Sequence, residues 1–242
     1  MQDALLAIDT ANQTCAVALI CEREPERAYW RAESVGNRHA ERILSMIDEV
    51  LAEAGVSKNA LGTIAFGQGP GSFTGLRVAC GVAQGLAWAL NVPMAQINNL
   101  EAAAQAVVDA DKLAADQCIA ILNDARMQEI YAAVYRMQGP GHRVVEQLGA
   151  QLLRPEEVSK WLLELGVTHV AGSALSEYAA QITLPEGVLA HAVPESMIVS
   201  MAQLARLDRE AGALVSAALA HPLYVRDRVA LTIEQRARGE KL

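Results

Sequence analysis

Aromatic residues are scarce in this 242-residue chain, at 4% of the total. About half the residues are apolar, so a core has to be built from Ala, Val, Leu and Ile, and wholesale disorder is excluded. Cysteine is also thin: Cys15, Cys21, Cys80 and Cys118 show no CxxC spacing and no pairing with histidine. That excludes a disulfide scaffold or zinc ribbon and leads us to expect buried free thiols in a reduced, cytoplasmic protein. Long apolar runs are missing, the longest being the seven residues 15–21. A membrane-spanning helix needs about 20, so no membrane role is expected, and no secretory signal is read before the first strand. Positive charge is in deficit, with 20 Lys and Arg against 28 Asp and Glu, a net charge of −8. Such a chain repels phosphate backbones at long range. The stretch Arg226-Asp227-Arg228 … Arg236-Ala237-Arg238 is a local exception, read as a solvated tail. The five histidines, at 39, 142, 169, 191 and 221, form no HxxxH or HExxH pair, and no GxSxG elbow is present. Neither a metal nor a cofactor is expected.

What is present reads as strands and helices in two similar halves. Apolar runs at residues 5–8 and 14–20, separated by turn-formers, predict a hairpin, with a third strand over 28–35. Asn37 is the expected N-cap of a helix carrying Ile43, Leu44, Ile47, Val50, Leu51 and Ala54, stopped by Gly55. A strand over 63–66 runs into a glycine-rich loop, and a helix over 76–90 ends at Asn91 and Pro93. A strand over 94–97 and a helix over 100–108 follow. The second half predicts strands at 118–123, 130–135, 144–150 and 167–171, with helices at 155–165 and 197–211. No linker divides the halves, which points to a two-lobed α/β protein.

Four segments stand out. Gly69-Pro70-Gly71-Ser72-Phe73-Thr74-Gly75-Leu76-Arg77 lies between a strand and a helix, where backbone N–H groups can cradle an anion. It lacks the Gly-Lys-Ser/Thr of a P-loop. A tight turn setting strand against helix explains the same residues, and both readings stay open. In the next helix, Gly81 and Gly85 share one face, although glycine costs a helix about 1 kcal/mol against alanine. Both therefore point to a close neighbour, either internal or a second chain. Asp124 and Arg126 follow a buried strand, as a site or as a structural ion pair. His39 and Glu41 open a helix, where a solvated first turn is the simpler reading.

Five stretches, in order, carry a resemblance. They are Ala7-Ile8-Asp9-Thr10 with its following strand, the run from Arg38-His39-Ala40-Glu41-Arg42 to Leu44, Gly69 to Arg77, Asp124-Ala125-Arg126 to Tyr131, and Pro222-Leu223-Tyr224-Val225-Arg226. Together they resemble the TsaB (YeaZ) family, within the actin-like, sugar-kinase and Hsp70-type ATPase fold. The resemblance implies an N-terminal lobe at 1–105 and a reduced lobe at 106–242, with a late helix packing back on the first. It implies a non-catalytic scaffold, not an enzyme on its own, paired with the catalytic paralogue TsaD and the ATPase TsaE. That assembly transfers threonylcarbamoyl to adenosine in tRNAs reading codons that begin with A, and tRNA would be met only through the complex. The implied interface comprises Arg38, His39, Glu41, Arg42 and Met46 on one helix and Arg77, Val78, Gly81 and Gly85 on the next. Whether the same helices also pair two copies as a homodimer when the chain is alone stays open. Departures from the fold's phosphate loops are plain. Asp9-Thr10-Ala11 and Asp124-Ala125-Arg126 stand where Asp-x-Gly is usual, and the paralogue's paired histidines are missing. A metal-dependent glycoprotease-like peptidase and a small-molecule ATPase or kinase of the same fold are the competing readings.

Overall fold

In β1 (Ala4–Asp9) every residue is buried, Leu6 and Ile8 on one face and Leu5 and Ala7 on the other. Successive strand residues point to opposite faces, so a strand apolar throughout must be covered on both sides. β2 (Thr14–Cys21) follows the same rule. β3 (Glu24–Ser34) is the half-exposed edge. With β4 (Leu61–Gly69) and β5 (Met94–Asn98) they form a sheet of order β3-β2-β1-β4-β5. The β1–β2 and β2–β3 pairs are antiparallel, and the β1–β4 and β4–β5 pairs are parallel. The computed structural model describes residues 3–226 and residue 238, so residues 227–237 of the arginine-bearing tail lie outside the described residues, whereas Arg226, read as part of a solvated tail, is half-buried in an ion pair with Glu129.

The second sheet repeats this plan. β6 (Cys118–Asp124), β7 (Ile130–Arg136) and β8 (Val145–Leu153) form an antiparallel meander. β9 (His169–Ala171) and β10 (Leu189–His191) add in parallel beside β6, giving β10-β9-β6-β7-β8. Its parallel strands have only three residues each, and its crossover helices are short: α4 (Val158–Glu164) and α5 (Ala174–Glu177). The second half is thus the reduced one.

α1 (His39–Ala54) and α2 (Phe73–Leu90) cover one face of the first sheet. The other face is covered by α6 (Met197–Glu210), which returns from the second half. α3 (Asn99–Asp111), which contains positions 105 and 106, packs against strands of both sheets. Burial on both faces explains why an interior rich in Ala and Val suffices, since close layers leave little room for aromatics. All four cysteines are unpaired; three are buried and Cys118 is half-buried. Among the described residues no helix is long and apolar enough to cross a membrane.

Several helix starts differ from expectation. α1 begins one residue later than an Asn37 cap requires: Arg38 takes the N-cap position, and no side chain caps it. A turn in which the Arg38 N–H donates to the Val35 carbonyl at 3.2 Å brings the chain in, leaving Asn37 outside. α2 begins at Phe73, three residues earlier than read, because the Ser72 hydroxyl accepts from the Gly75 N–H and caps it. The helix expected over 155–165 opens as a 3-10 turn at Pro155–Glu157 before α4.

Candidate functional site

The glycine-rich loop connects β4 to α2 and lies against the turn joining β1 to β2. A Cβ on Gly75 would stand 1.9 Å from the Thr10 carbonyl oxygen, and one on Gly71 would stand 2.6 Å from that of Ala11. The Thr10 hydroxyl donates to the Gly75 carbonyl at 2.7 Å, and the Ser72 N–H donates to Ala11 at 2.7 Å. Gly69, preceding Pro70 through a cis peptide bond, faces the Leu223 carbonyl, 2.7 Å from where its Cβ would be. Close approach of backbones therefore accounts for these glycines, and the N–H groups of Ser72 and Gly75 are already bonded. Of the two readings, the tight turn is the one this packing favours.

Beneath the loop sits a buried polar knot. The Asp9 carboxylate accepts from the Asn99 side-chain amide at 2.8 Å and the Ala11 N–H at 3.2 Å, while Asn99 accepts from the Gly69 N–H at 2.8 Å. Burial pushes the Asp9 carboxyl up, against the lowering effect of those bonds. His39 is only 7% exposed, and its Nδ1 has no hydrogen-bond partner among the described residues. Burial pushes its imidazole down, opposed by Asp9 and the Asn12 backbone. The solvated first turn read from sequence holds for Glu41 but not for His39, because His39 faces the sheet and its turn.

Across a cleft of about 1310 Å³ stands the β6–β7 turn. Asp124 accepts from the Tyr178 hydroxyl at 2.7 Å and the Arg126 N–H at 2.8 Å, and pairs with the Arg126 guanidinium at 3.1 Å. Burial first, and the bond to Asp124 second, push Tyr178 up to about 12. Of the two readings for Asp124 and Arg126, the ion pair is the arrangement found. Arg126, Met127 and Gln128 have φ of 61°, 58° and 59°, a left-handed run that residues with a Cβ disfavour.

The other concentration of expected residues is the outer face of α1 and α2. Gly81 and Gly85 are exposed, and a Cβ at either would meet nothing within 4 Å. The neighbour that their presence suggested is therefore not internal to the described chain. Arg77 lies on the same face, its guanidinium 3.8 Å over the Phe73 ring, and Val78 is half-buried. Phe73 is 43% and Trp88 74% exposed, at opposite ends of the glycine stripe. On α1, Arg38 and Glu41 are exposed. Arg42 is held between Glu33 and Glu49, with shortest distances of 2.5 and 2.6 Å, so its charge is taken up within the chain. Met46 and His39 are corrections: at 0% and 7% exposure both are buried on the inner side of α1 and are not on the face open to a partner.

Sequence reasoning overlooked Trp88, although its spacing from Gly81 and Gly85 puts it on their face. It also overlooked Asn99, whose role depends on a crossover that no local pattern reveals. The His169–His191 contact at 2.8 Å, with Asp111 on the far side of His191 at 2.5 Å, joins residues that read as scattered.

The family model for "TsaD: tRNA N6-adenosine threonylcarbamoyltransferase" matches residues 32–205. The chain is 34% identical over 239 residues to the "tRNA threonylcarbamoyladenosine biosynthesis protein TsaB" of Haemophilus influenzae, covering 93% of this chain and 94% of that protein. A Pseudomonas aeruginosa crystal structure, described as similar to peptidase YEAZ, aligns with a TM-score of 0.78 at 33% identity. It covers 93% of this chain and 100% of that one. The Lmo2764 protein of Listeria monocytogenes, named for N-acetylmannosamine kinase activity, aligns at a TM-score of 0.50 and 11% identity, over 86% of this chain and 99% of that one. That last likeness speaks for the fold alone. It agrees with the repeated β-β-β-α-β-α plan of a two-lobed sugar-kinase and actin-like architecture.

Proposed function

We propose, from the premise that this chain belongs to the TsaB (YeaZ) family of tRNA threonylcarbamoyladenosine biosynthesis proteins, that it works as the non-catalytic partner of a TsaD-type transferase. The observation that carries this reading is the open face of α2. Two exposed glycines keep a helix surface flat although nothing in the described chain packs there. Each costs the isolated helix about 1 kcal/mol against alanine. A second helix seated close against that surface gives the glycines a purpose, and the exposed Phe73 and Trp88 at either end supply apolar area for it.

Kinship supports the choice of partner. The transferase family model matches this chain over most of its length, so the two proteins share a domain plan. Pairing through equivalent helices would make the dimer pseudo-twofold, and the same face would serve self-association when the partner is missing. The cleft supports a supporting role over catalysis. Asp9 is buried and tied to Asn99, Asp124 is tied to Tyr178 and Arg126, and the Arg126 guanidinium stands at the cleft wall. In the proposed complex the transferase carries out threonylcarbamoyl transfer, a TsaE-type ATPase docks on the pair, and tRNA reaches this chain only through the assembly, in the cytoplasm.

The test is co-elution of the purified chain with the TsaD-type subunit, followed by a threonylcarbamoyl-transfer assay with each component omitted. Transfer that needs both proteins supports the reading. Transfer by the TsaD-type subunit at full rate without this chain overturns it.

A further inference from the structure

After α6 the backbone does not leave the molecule. Val215 pairs with Met94, with N–H to carbonyl distances of 2.8 Å in each direction. Gln84 of α2 donates to the Ala217 and Ala220 carbonyls at 2.9 Å, and Gln96 of β5 donates to that of His221 at 2.9 Å. The Leu223 N–H then donates to the Gln68 carbonyl at 2.6 Å, beside Gly69. These bonds hold the segment along the first sheet and α2.

Its last described part crosses the cleft. The Tyr224 ring packs on Phe73 with centroids 5.5 Å apart, and its hydroxyl accepts from Arg77 Nε at 3.2 Å. Two residues on, the Arg226 guanidinium forms an ion pair with Glu129 and donates to the Arg126 carbonyl at 3.3 Å and to Met127 Sδ at 3.2 Å. Those contacts grip the left-handed run at 126–128. The run needs external holding, because its conformation is disfavoured for side chains with a Cβ.

We propose that residues 222–226 form a strap that extends the α2 docking face and couples it to the β6–β7 turn across the cleft. The apolar helix face that covers Phe73 and Arg77 covers Tyr224 as well, and by fixing Tyr224 it fixes Arg226 on the turn. The docking of a partner here rests on the reading in the preceding section, whereas the link from Tyr224 to the turn is internal to the chain. A partner that binds the ordered strap better than the loosened one shifts the equilibrium toward the ordered turn.

Hydrogen exchange of the full chain tests this in two arms. In the chain alone, amides at 125–129 are expected to exchange about tenfold faster in Arg226→Ala, the loss anticipated for a half-buried charged hydrogen bond. Tyr224→Ala is expected to do the same, although the ring contact and side-chain hydrogen bond of Tyr224 are to Phe73 and Arg77 and not to the turn. Arg226→Lys, which keeps the charge without the fork, should show a smaller rise and serves if the alanine variant does not fold. Normal exchange at 125–129 in Tyr224→Ala would overturn the strap, since Arg226 would then hold the turn by itself. In the second arm the TsaD-type subunit is added to the wild-type chain, and slower exchange at 125–129 is expected. Co-elution without slowing refutes the coupling. Failure to co-elute refutes only the partner assignment and leaves the first arm to decide the strap.

Discussion

Gly75, Gly81 and Gly85 lie on one helix and meet two different demands, which makes them a sharp probe of the α2 face. A methyl group at Gly81 or Gly85 would meet none of the described residues within 4 Å. Neither has a left-handed φ, so alanine fits the backbone already there. Gly81→Ala and Gly85→Ala are therefore each expected to stabilise the isolated protein by about 1 kcal/mol through helix propensity. For a chain of this length that raises Tm by about 2–4 °C per substitution. Gly75→Ala goes the other way. Its Cβ would stand 1.9 Å from the Thr10 carbonyl, and relieving that clash should cost about 3 kcal/mol or more. Larger side chains at 81 and 85 separate folding from pairing. Gly81→Leu and Gly85→Leu should leave Tm unchanged or higher. In a complex where a partner helix sits on this face, overpacking costs about 1–3 kcal/mol, a roughly ten- to hundredfold loss of affinity. The assays are a thermal melt of the lone chain and calorimetric titration with the TsaD-type subunit. A lower Tm for either alanine variant would refute the open-face description, and unchanged affinity for both leucine variants would remove α2 from the interface.

Two further outcomes follow from the buried knot and the charge. The Asp9 carboxyl is raised by burial above its unfolded value, so the folded state holds that proton after the unfolded state has released it. Stability is thus fullest below the unfolded pKa and falls as pH rises through the folded one. Asp9→Asn, which keeps the acceptor for Asn99 and Ala11, should gain on the wild type as pH rises from 4 to 7 in urea titrations; a gap independent of pH would refute this. With a net charge of −8, the isolated chain should give no tRNA gel shift even at low salt, where attraction is strongest. A robust shift that fades steeply with salt would show that local arginines outweigh the net charge.

The elements legible in the sequence are those with a strong periodic or continuous pattern. β1, β2, α1 and α6 were visible because their apolar residues repeat at the spacing their packing requires. β10 and α5, with three and four residues, are too short to carry a period, and their places are set by the sheet they complete. The start of α2 was misread because Phe73 and Thr74 resemble loop residues until the Ser72 cap is seen. The site was legible as residue types and only partly as depth. Met46 lies three residues after Ile43 and four before Val50, and His39 four before Ile43, so helical spacing already sets both on the buried face, against their place in the expected interface. Gly75 and Gly81 read alike in the sequence, while one is wedged against a carbonyl and the other faces solvent. The left-handed run at 126–128 contains no glycine, so nothing local announced it.

The central claim is that this chain acts by seating a transferase on its α1–α2 face. The most direct measurement is calorimetric titration of the wild-type chain and the Gly81→Leu/Gly85→Leu double variant with the TsaD-type subunit, each first shown by its melt to be folded. The account predicts one-to-one binding for the wild type and a loss of at least about tenfold for the variant. Equal affinity for the two folded proteins, or no binding by the wild type, would contradict it.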